Sequence, residues 1–400
     1  MKALRRDLLA DRPRDGMTGF FTAPRIAWGP GAVEQLSGLA ARRAFLVVDP
    51  AVASHRGHQR VVEELAKSST VVEVFEAGPE VNRLDSVMEL AKRLGDFGPD
   101  WLVVLGGGRT LDGAKAARLV FERPDLSLAE LTSVFELPDP PRCRLVAVPT
   151  TSGSGSEASW SVDLRSMEEE PVELAHRGLV PDWALVDVGF AETLSNDLLR
   201  DGGFEALAQA TEAYLSAWAN PFSDALALSV ARTIFERLPH ALKWSDDPDA
   251  KEAVHYAATL AGLAASNAQR GVGHALARAL VRPTGLPYGR LLGMLLPHVL
   301  EFDRPSARDR VETLALVVRS ADDRASVPLG TRVLRLLETL RAPGSLSAAG
   351  VDRSLLDAAR STIVANTLRS PAVLANPRVP GPRDIELLLD AAFGRSGSAP

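Results

Sequence analysis

Two segments of the chain combine the residue types that bind phosphate. In the first, residues 102–115, an apolar run reaches Gly106, Gly107 and Gly108 and continues into a helix-forming stretch. This pattern predicts a buried strand, a tight turn and a helix N-terminus whose backbone N–H groups point toward an anion. An ordinary strand-to-helix turn has the same pattern, so this segment alone leaves both interpretations open.

The second segment, residues 146–157, favours the phosphate site. Another apolar run ends there in a loop rich in hydroxyl and glycine residues, which includes Thr150, Thr151 and Ser154. These hydroxyls could close over the same ligand as the glycine turn.

A third group of polar residues could carry acid–base chemistry. His274 and Arg278 are four residues apart on a predicted helix, so both face the same way, and Tyr288 follows in a turn that could fold back toward them. A guanidinium beside Tyr288 would stabilise the phenolate and lower the phenol pKa, which makes Tyr288 a better proton donor. Arg278 could instead bind a substrate carboxylate or phosphate. A purely structural network, with Glu205 pairing Arg278, is the remaining alternative.

The elements that must position these residues follow two patterns. Apolar runs at 44–48, 70–75 and 101–105 alternate with helical segments at 58–67 and 83–94, which predicts parallel βαβ units with ligands at the carboxyl ends of the strands.

Three charged residues are placed by these predicted elements. Asp49 follows the first strand, where an acid could bind a ribose and repel a 2′-phosphate, or could be a plain loop acid. Asp112 is expected in the first turn of the helix after the glycines, where a negative charge interacts favourably with the helix dipole. Lys115 lies further along that helix.

After a strand-like run at 183–188 the pattern changes to amphipathic helices without obvious strands. We expect these helices at 204–219, 223–242, 249–267, 272–280, 308–320, 330–340, 351–365 and 385–393. The predicted organisation is a mobile extension at 1–18, an α/β domain at 19–195, an all-helical domain at 196–394 and a tail at 395–400.

Composition limits the possible functions. The 400 residues carry a net charge of −6, which argues against nucleic-acid binding. The one cysteine, Cys143, excludes an internal disulfide or a Cys-based metal site. Without a long apolar run or a signal-peptide core, the sequence predicts a cytoplasmic enzyme with a small-molecule substrate and no membrane partner. A homodimer is left open.

The histidines other than His274 carry less information. Four are expected to be solvated, His176 could approach a cofactor, and His298 is expected to be structural. The four solvated positions are His55, His58, His240 and His255.

Residues 102–115 and 146–157, together with 21–32 and 296–299, resemble the iron-containing (group III) alcohol dehydrogenase family and its GGGSxxDxAK and PTTxGTGSE elements. The resemblance implies a Rossmann-like dinucleotide-binding α/β domain followed by an all-α domain. It also implies bound NAD, with NADP as the alternative, and a cofactor-discriminating residue at Asp49. The residues it places at the cofactor are Gly106, Gly107, Gly108, Asp112, Lys115, Thr150, Thr151 and Ser154.

The resemblance fails at the family's metal site. The family takes its ligands from a D-x-x-x-H helix, a later histidine and a histidine in a turn, whereas this chain has Glu205, Gln209, His274 and Tyr288 at those positions. Arg278 replaces a further active-site histidine. An amide offers only a carbonyl oxygen and a phenol keeps its proton at neutral pH, so we expect no metal.

The sequence therefore predicts a metal-independent NAD(P)-dependent oxidoreductase that acts on an aldehyde, a ketone or an alcohol, with an anionic substrate if Arg278 binds it. Glu205, Gln209, His274, Arg278 and Tyr288 are its candidate catalytic residues. The alternatives are a non-redox enzyme, for example for cyclisation, addition or isomerisation, and a non-catalytic homologue.

Overall fold

The computed structural model describes residues 20–53, 56–68, 71–125, 141–192, 194–243, 247–319 and 327–394. The predictions for residues 1–18, for the tail at 395–400 and for His55 lie outside these residues.

Six parallel strands form the main sheet, and two further strands form an antiparallel hairpin. In chain order the strands are β1 (Arg25–Trp28), β2 (Arg43–Val48), β3 (Val71–Glu76), β4 (Trp101–Gly106), β5 (Arg144–Pro149), β6 (Ser161–Arg165), β7 (Pro171–Ala175) and β8 (Trp183–Val186). The sheet order is β1-β8-β5-β4-β2-β3, with β6 and β7 as the hairpin.

The central strands are apolar on both faces because both faces are covered. Along β2, Phe45 and Val47 join one buried apolar cluster, whereas Leu46 and Val48 join another. Side chains alternate between the two faces of a strand, so these clusters lie on opposite sides of the sheet. The parallel α/β fold predicted from the sequence is confirmed.

Four helices connect the first strands: α1 (Pro50–Ala53), α2 (Arg56–Ser68), α3 (Leu84–Phe97) and α4 (Gly108–Glu122). The bounds of the helical segments predicted at 58–67 and 83–94 agree with those of α2 and α3 to within three residues. The hairpin β6–β7 was not predicted, because its short strands mix charged and apolar residues.

After β8 the described residues contain helices and no strand, which confirms the predicted helical second part. These helices are α5 (Asn196–Leu215), α6 (Pro221–Lys243), α7 (Pro248–Ala268), α8 (Val272–Thr284), α9 (Tyr288–Val317), α10 (Leu329–Thr339), α11 (Arg353–Arg369), α12 (Ala372–Ala375) and α13 (Pro382–Phe393). The helix predicted at 308–320 is the second half of α9, whose helical backbone is interrupted at Ala307.

The chain divides into two compact units. Among the described residues, the sheet unit lies within Ala23–Ala206 and Arg237–Gly262, and the helical unit lies within 20–22, Leu207–Glu236 and 263–394. Among the described residues, no helix has the length and apolar character that crossing a membrane requires.

Candidate active site

In the sheet unit, the carboxyl ends of three neighbouring strands lie side by side. The N–H of Asp49, after β2, donates to the carbonyl of Leu105 in β4 at 2.8 Å. The N–H of Thr150, after β5, donates to the carbonyl of Gly106 at 3.1 Å. The predicted glycine turn and hydroxyl loop therefore meet at one edge of the sheet, where ligands bind in parallel α/β folds.

The glycine turn and the hydroxyl loop also touch directly. A Cβ on Gly107 would lie 2.9 Å from Cγ2 of Thr151, and one on Gly108 would lie 2.7 Å from Oγ of Ser154. Only glycine allows this approach. No side chain caps the N-terminus of α4, so its first N–H groups, beside the half-buried Thr151 and Ser154, form a cradle suited to phosphate.

Asp49 lies beside this cradle. Its Oδ2 accepts a hydrogen bond from Oγ1 of Thr110 at 2.7 Å, and its Oδ1 accepts one from the N–H of Ala51 at 2.9 Å. Each oxygen keeps a lone pair, and the carboxylate is half-buried. It is therefore placed to accept ribose hydroxyls or to repel a nearby phosphate.

The prediction that Asp112 lies in the first turn of α4 is wrong. The helix begins at Gly108 and has no acid in its first turn. Asp112 is buried one turn later, where it accepts hydrogen bonds from Oγ of Ser156 and from the N–H of Asp163. Burial raises the pKa of Asp112 to about 6. Asp112 ties α4 to the chain that follows the hydroxyl loop.

Like Asp112, Lys115 is buried and bonds the part of the chain near the end of the hydroxyl loop. Its buried ammonium donates to the backbone and hydroxyl oxygens of Ser156 and Ser159 and to the carbonyl of Ser161, at 2.8 to 3.3 Å. These bonds fix α4 against the end of the hydroxyl loop. Direct cofactor contacts of Asp112 and Lys115 stay predictions.

In the helical unit, His274 is fully buried and bonded to an acid that is not among the predicted site residues. Nδ1 of His274 lies 2.6 Å from Oε2 of Glu212, whose oxygens also accept from the N–H groups of Gly271 at 2.6 Å and Gly273 at 2.7 Å. Burial opposes ionisation of Glu212, but the imidazole and the two N–H groups hold its pKa below the ordinary value.

The ionised Glu212 sets the tautomer of His274. An acceptor-only carboxylate requires the proton on Nδ1, which leaves the lone pair on Nε2. That Nε2 is buried and has no hydrogen-bond partner among the described residues. Burial lowers the pKa of His274, Glu212 opposes this, and nearby arginines including Arg278 add to the lowering. The imidazole therefore presents a lone pair that a ligand hydroxyl could bind.

A second side chain helps to fix the start of α8. Oδ1 of Asn376 accepts from the N–H of Val272 at 2.9 Å, and its Nδ2 donates to Oδ1 of Asp303 at 2.5 Å. Burial raises the pKa of Asp303 well above its ordinary value. Glu212 and Asn376 thus satisfy three N–H groups at the N-terminus of α8, where His274 lies.

The structure brings His274, Arg278 and Tyr288 together in the helical unit. The rings of His274 and Tyr288 are 6.0 Å apart and nearly edge-on, and the Tyr288 hydroxyl lies 3.4 Å from the His274 carbonyl oxygen. Arg278 is one turn further along α8 and acts electrostatically on His274. Tyr288 is the first residue of α9 rather than part of a turn, which corrects the sequence prediction.

The other two predicted catalytic residues lie on α5. Glu205 is half-buried and belongs to the sheet unit, whereas Gln209 is buried and belongs to the helical unit. Glu212 lies three residues beyond Gln209 and seven beyond Glu205, so all three share one helix face. That spacing was a sequence signal for Glu212.

The residues at the family's metal positions do not fit a divalent metal. Among the described residues, no group of three or more His, Cys, Asp or Glu side chains could hold an ion. Gln209 and Tyr288 are weak donors for a divalent cation at neutral pH. Glu212, the acid nearest to His274, already binds Nδ1 and two backbone N–H groups.

The prediction that His255 is solvated is wrong. It is buried on α7, with Nδ1 3.0 Å from Oγ of Ser152 in the hydroxyl loop. His240 is exposed, as expected. His176 accepts from the N–H of Gly178 with Nδ1 at 3.0 Å, and burial lowers the pKa of the half-buried His298.

A parallel sheet with this cradle at its carboxyl edge, followed by a helical part, defines a dehydrogenase-like α/β protein, and comparison with known proteins gives the family. Residues 23–188 match the model for iron-containing alcohol dehydrogenase, and residues 200–393 match that for the C-terminal part of the Fe-containing alcohol dehydrogenase family. The chain therefore belongs to the iron-containing alcohol dehydrogenase family, which confirms the resemblance.

Individual relatives support this family assignment. The NADPH-dependent butanol dehydrogenase of Clostridium saccharobutylicum is 32% identical over 299 residues, 74% of this chain and 76% of that protein. The bifunctional aldehyde-alcohol dehydrogenase of Escherichia coli K12 is 30% identical over 402 residues, 92% of this chain but 45% of that longer protein. The structure of an iron-containing alcohol dehydrogenase from Thermococcus thioreducens has a TM-score of 0.85 at 28% identity, covering 94% of this chain and 100% of that chain.

Proposed function

We propose that this protein is an NAD(P)-dependent oxidoreductase that interconverts an alcohol and its aldehyde or ketone, with side chains in place of the family's metal. The observation that carries the proposal is the His274–Glu212 pair, whose Nε2 lone pair is buried and has no partner in the described part of the chain. Family membership supports the redox chemistry.

The cradle supports dinucleotide binding. The N–H groups at the start of α4 would bind phosphate, and the hydroxyls of Thr151 and Ser154 would complete the site. A bound nicotinamide would supply or accept the hydride. Asp49 favours NAD, because a carboxylate binds ribose hydroxyls and repels a 2′-phosphate. Since the butanol dehydrogenase relative is named as NADPH-dependent, both cofactors belong in the test.

Residues of the helical unit would bind the substrate oxygen and exchange a proton with it. In reduction, the carbonyl oxygen would take a proton from the Tyr288 hydroxyl, the Arg278 guanidinium would stabilise the resulting phenolate, and the phenolate would regain its proton from water. Nε2 of His274 would accept a hydrogen bond from the alcohol and orient it. If the substrate is anionic, Arg278 is the residue that would bind its charge.

Further parts of the proposal rest on composition and charge. They are a small-molecule substrate, a cytoplasmic location and no nucleic-acid or membrane partner. A homodimer is left open.

The test is a steady-state assay of short alcohols, hydroxy acids and the matching aldehydes with all four nicotinamide dinucleotides. We expect turnover with at least one pair and a preference for NAD over NADP. Tyr288→Phe should lower kcat roughly 10²-fold with little change in dinucleotide affinity, as expected for loss of a general acid.

The matched control is Tyr256→Phe, which removes a phenol that bonds Glu252 on α7 and should leave kcat near wild type. If the protein binds a dinucleotide but oxidises and reduces nothing in the panel, the non-redox alternative replaces this proposal. If Tyr288→Phe keeps full turnover and only its melting temperature is lower, Tyr288 is structural.

A further inference from the structure

One face of α7 is anchored to the hydroxyl loop, residues 150–157. Within the sheet unit, His255, Thr259 and Gly262 each contact this loop. Their spacing of four and three residues places them on the same side of the helix. α7 therefore presents a continuous surface to the loop.

Two of these contacts are buried hydrogen bonds. Nδ1 of His255 lies 3.0 Å from Oγ of Ser152, and both residues are almost fully buried. Oγ1 of Thr259 donates to Oε1 of Glu157 at 2.6 Å, again between buried residues. Loss of either bond would leave a buried polar group without that partner, which is energetically costly.

The third contact is between two backbones. A Cβ on Gly262 would lie 2.2 Å from the carbonyl oxygen of Gly155. The two backbone segments pack directly against each other, so no flexible side chain could move aside to make room. Gly155 also has φ +62°, a left-handed conformation that glycine adopts readily. The loop is therefore held at three points: Ser152, Gly155 and Glu157.

Each residue that lines the cradle immediately precedes an anchored residue in the chain: Thr151 precedes Ser152, and Ser154 precedes Gly155. Thr151 and Ser154 are half-buried and face Gly107 and Gly108. Because each cradle residue directly precedes an anchored residue, the anchors determine which hydroxyls face the glycine turn. A shift of Ser152 or Gly155 would displace Thr151 and Ser154.

We propose that His255, Thr259 and Gly262 of α7 are positioning residues that hold the hydroxyl loop in its dinucleotide-binding conformation without touching the dinucleotide. The inference rests on the proposed function, because it takes the cradle to be the cofactor site. It extends that function, because α7, which packs against the hydroxyl loop, would then contribute to cofactor affinity.

The test compares Thr259→Val, which keeps the shape of the side chain but loses the hydroxyl, with Thr259→Ser, which keeps the hydroxyl. Thr367→Val is the matched control, because Thr367 is also buried and its hydroxyl bonds the carbonyl of Ile363 within α11. The probes are NAD⁺ and ADP-ribose, titrated by calorimetry into the full chain. Melting temperatures and the KM values of dinucleotide and alcohol are measured on the same samples.

We expect Thr259→Val to weaken binding of both probes roughly tenfold, while Thr259→Ser and Thr367→Val stay within about twofold of wild type. The KM of the dinucleotide should rise while the KM of the alcohol and kcat change little. If Thr259→Val does not fold, Ser152→Ala, which removes the partner of His255, should give the same loss of affinity.

The outcomes separate this inference from the proposed function. If wild type binds no dinucleotide, the proposed cofactor site fails and the inference fails with it. If wild type binds and Thr259→Val binds equally well, even with a lower melting temperature, the inference alone is overturned. Equal losses in Thr367→Val and Thr259→Val would also overturn it, because the effect would then be one of stability.

Discussion

His274 and His255 are both buried imidazoles that bond through Nδ1 and leave Nε2 without a hydrogen-bond partner among the described residues. Their partners differ, and this difference separates their roles. His274 faces an ionised acid that fixes its tautomer, so its free nitrogen is a defined acceptor. His255 faces a hydroxyl, which accepts or donates equally well, so its role is to hold the loop.

Burial also makes His255 a source of pH-dependent stability. Burial lowers its pKa from 6.5 to about 4, so the folded state keeps the imidazole neutral while the unfolded chain takes up a proton below pH 6.5. Stability from this residue is therefore complete above about pH 6.5 and is lost as pH falls toward 4, at about 1.4 kcal/mol per pH unit.

Denaturant unfolding of wild type and His255→Asn between pH 4 and 8 measures this contribution. We expect the variant to lose less stability than wild type below about pH 6.5. The control is His240→Asn, which changes an exposed histidine and should leave the wild-type slope unchanged. Parallel profiles for wild type and His255→Asn would contradict the buried neutral state of His255.

Residues that are distant in the sequence hold the N-terminus of α8 in place. Its N–H groups are satisfied by Glu212 from α5 and by Asn376, which follows α12. Because His274 lies within that first turn, the groups that cap the helix also hold the imidazole in place. Helix stability and site geometry are therefore coupled at this point.

Asn376→Ala tests how much stability the capping of α8 provides. It leaves the N–H of Val272 and the carboxyl of Asp303 without their common partner in a buried setting, so we expect the free energy of unfolding to fall by roughly 2 kcal/mol or more. Asn366→Ala, which removes a half-buried amide whose hydrogen bond to Arg369 is exposed to solvent, is the control and should cost much less. Equal losses measured by urea denaturation would show that the Asn376 contacts add no stability.

Sequence patterns located most elements but not their long-range partners. The apolar runs that became β2 and β4 and the amphipathic segment that became α10 depend on local periodicity, which the sequence carries directly. The helix from Tyr288 was missed, because Pro297 and Pro305 lie inside it and proline usually ends a helix.

At the candidate site, the family resemblance drew attention to His274, Arg278 and Tyr288, and the four-residue spacing placed His274 and Arg278 on one helix face. Glu212 lies 62 residues from His274 in the sequence, and Asn376 lies 104 residues from Val272. The spacing along α5 placed Glu212 on the same helix face as Glu205 and Gln209, but only the folded chain shows that Glu212 and Asn376 meet the start of α8. The same reason explains why His255 was expected to be solvated.

The whole chain has the fold of the iron-containing alcohol dehydrogenase family, and Glu205, Gln209, His274 and Tyr288 stand where the resemblance places the family's metal ligands. The sheet unit contains a cradle suited to phosphate, and the helical unit contains a buried histidine whose Nδ1 contacts Glu212. We propose that this protein performs alcohol–carbonyl redox chemistry without a bound metal.

The most direct test measures turnover and metal content on the same sample. Purified protein is dialysed against a strong chelator, assayed with its best alcohol and dinucleotide, and analysed for Fe, Zn, Mn and other divalent metals by mass spectrometry. We expect full turnover at metal contents far below stoichiometric. Loss of turnover on chelation, with recovery on addition of Fe²⁺ or Zn²⁺ at stoichiometric binding, would contradict it.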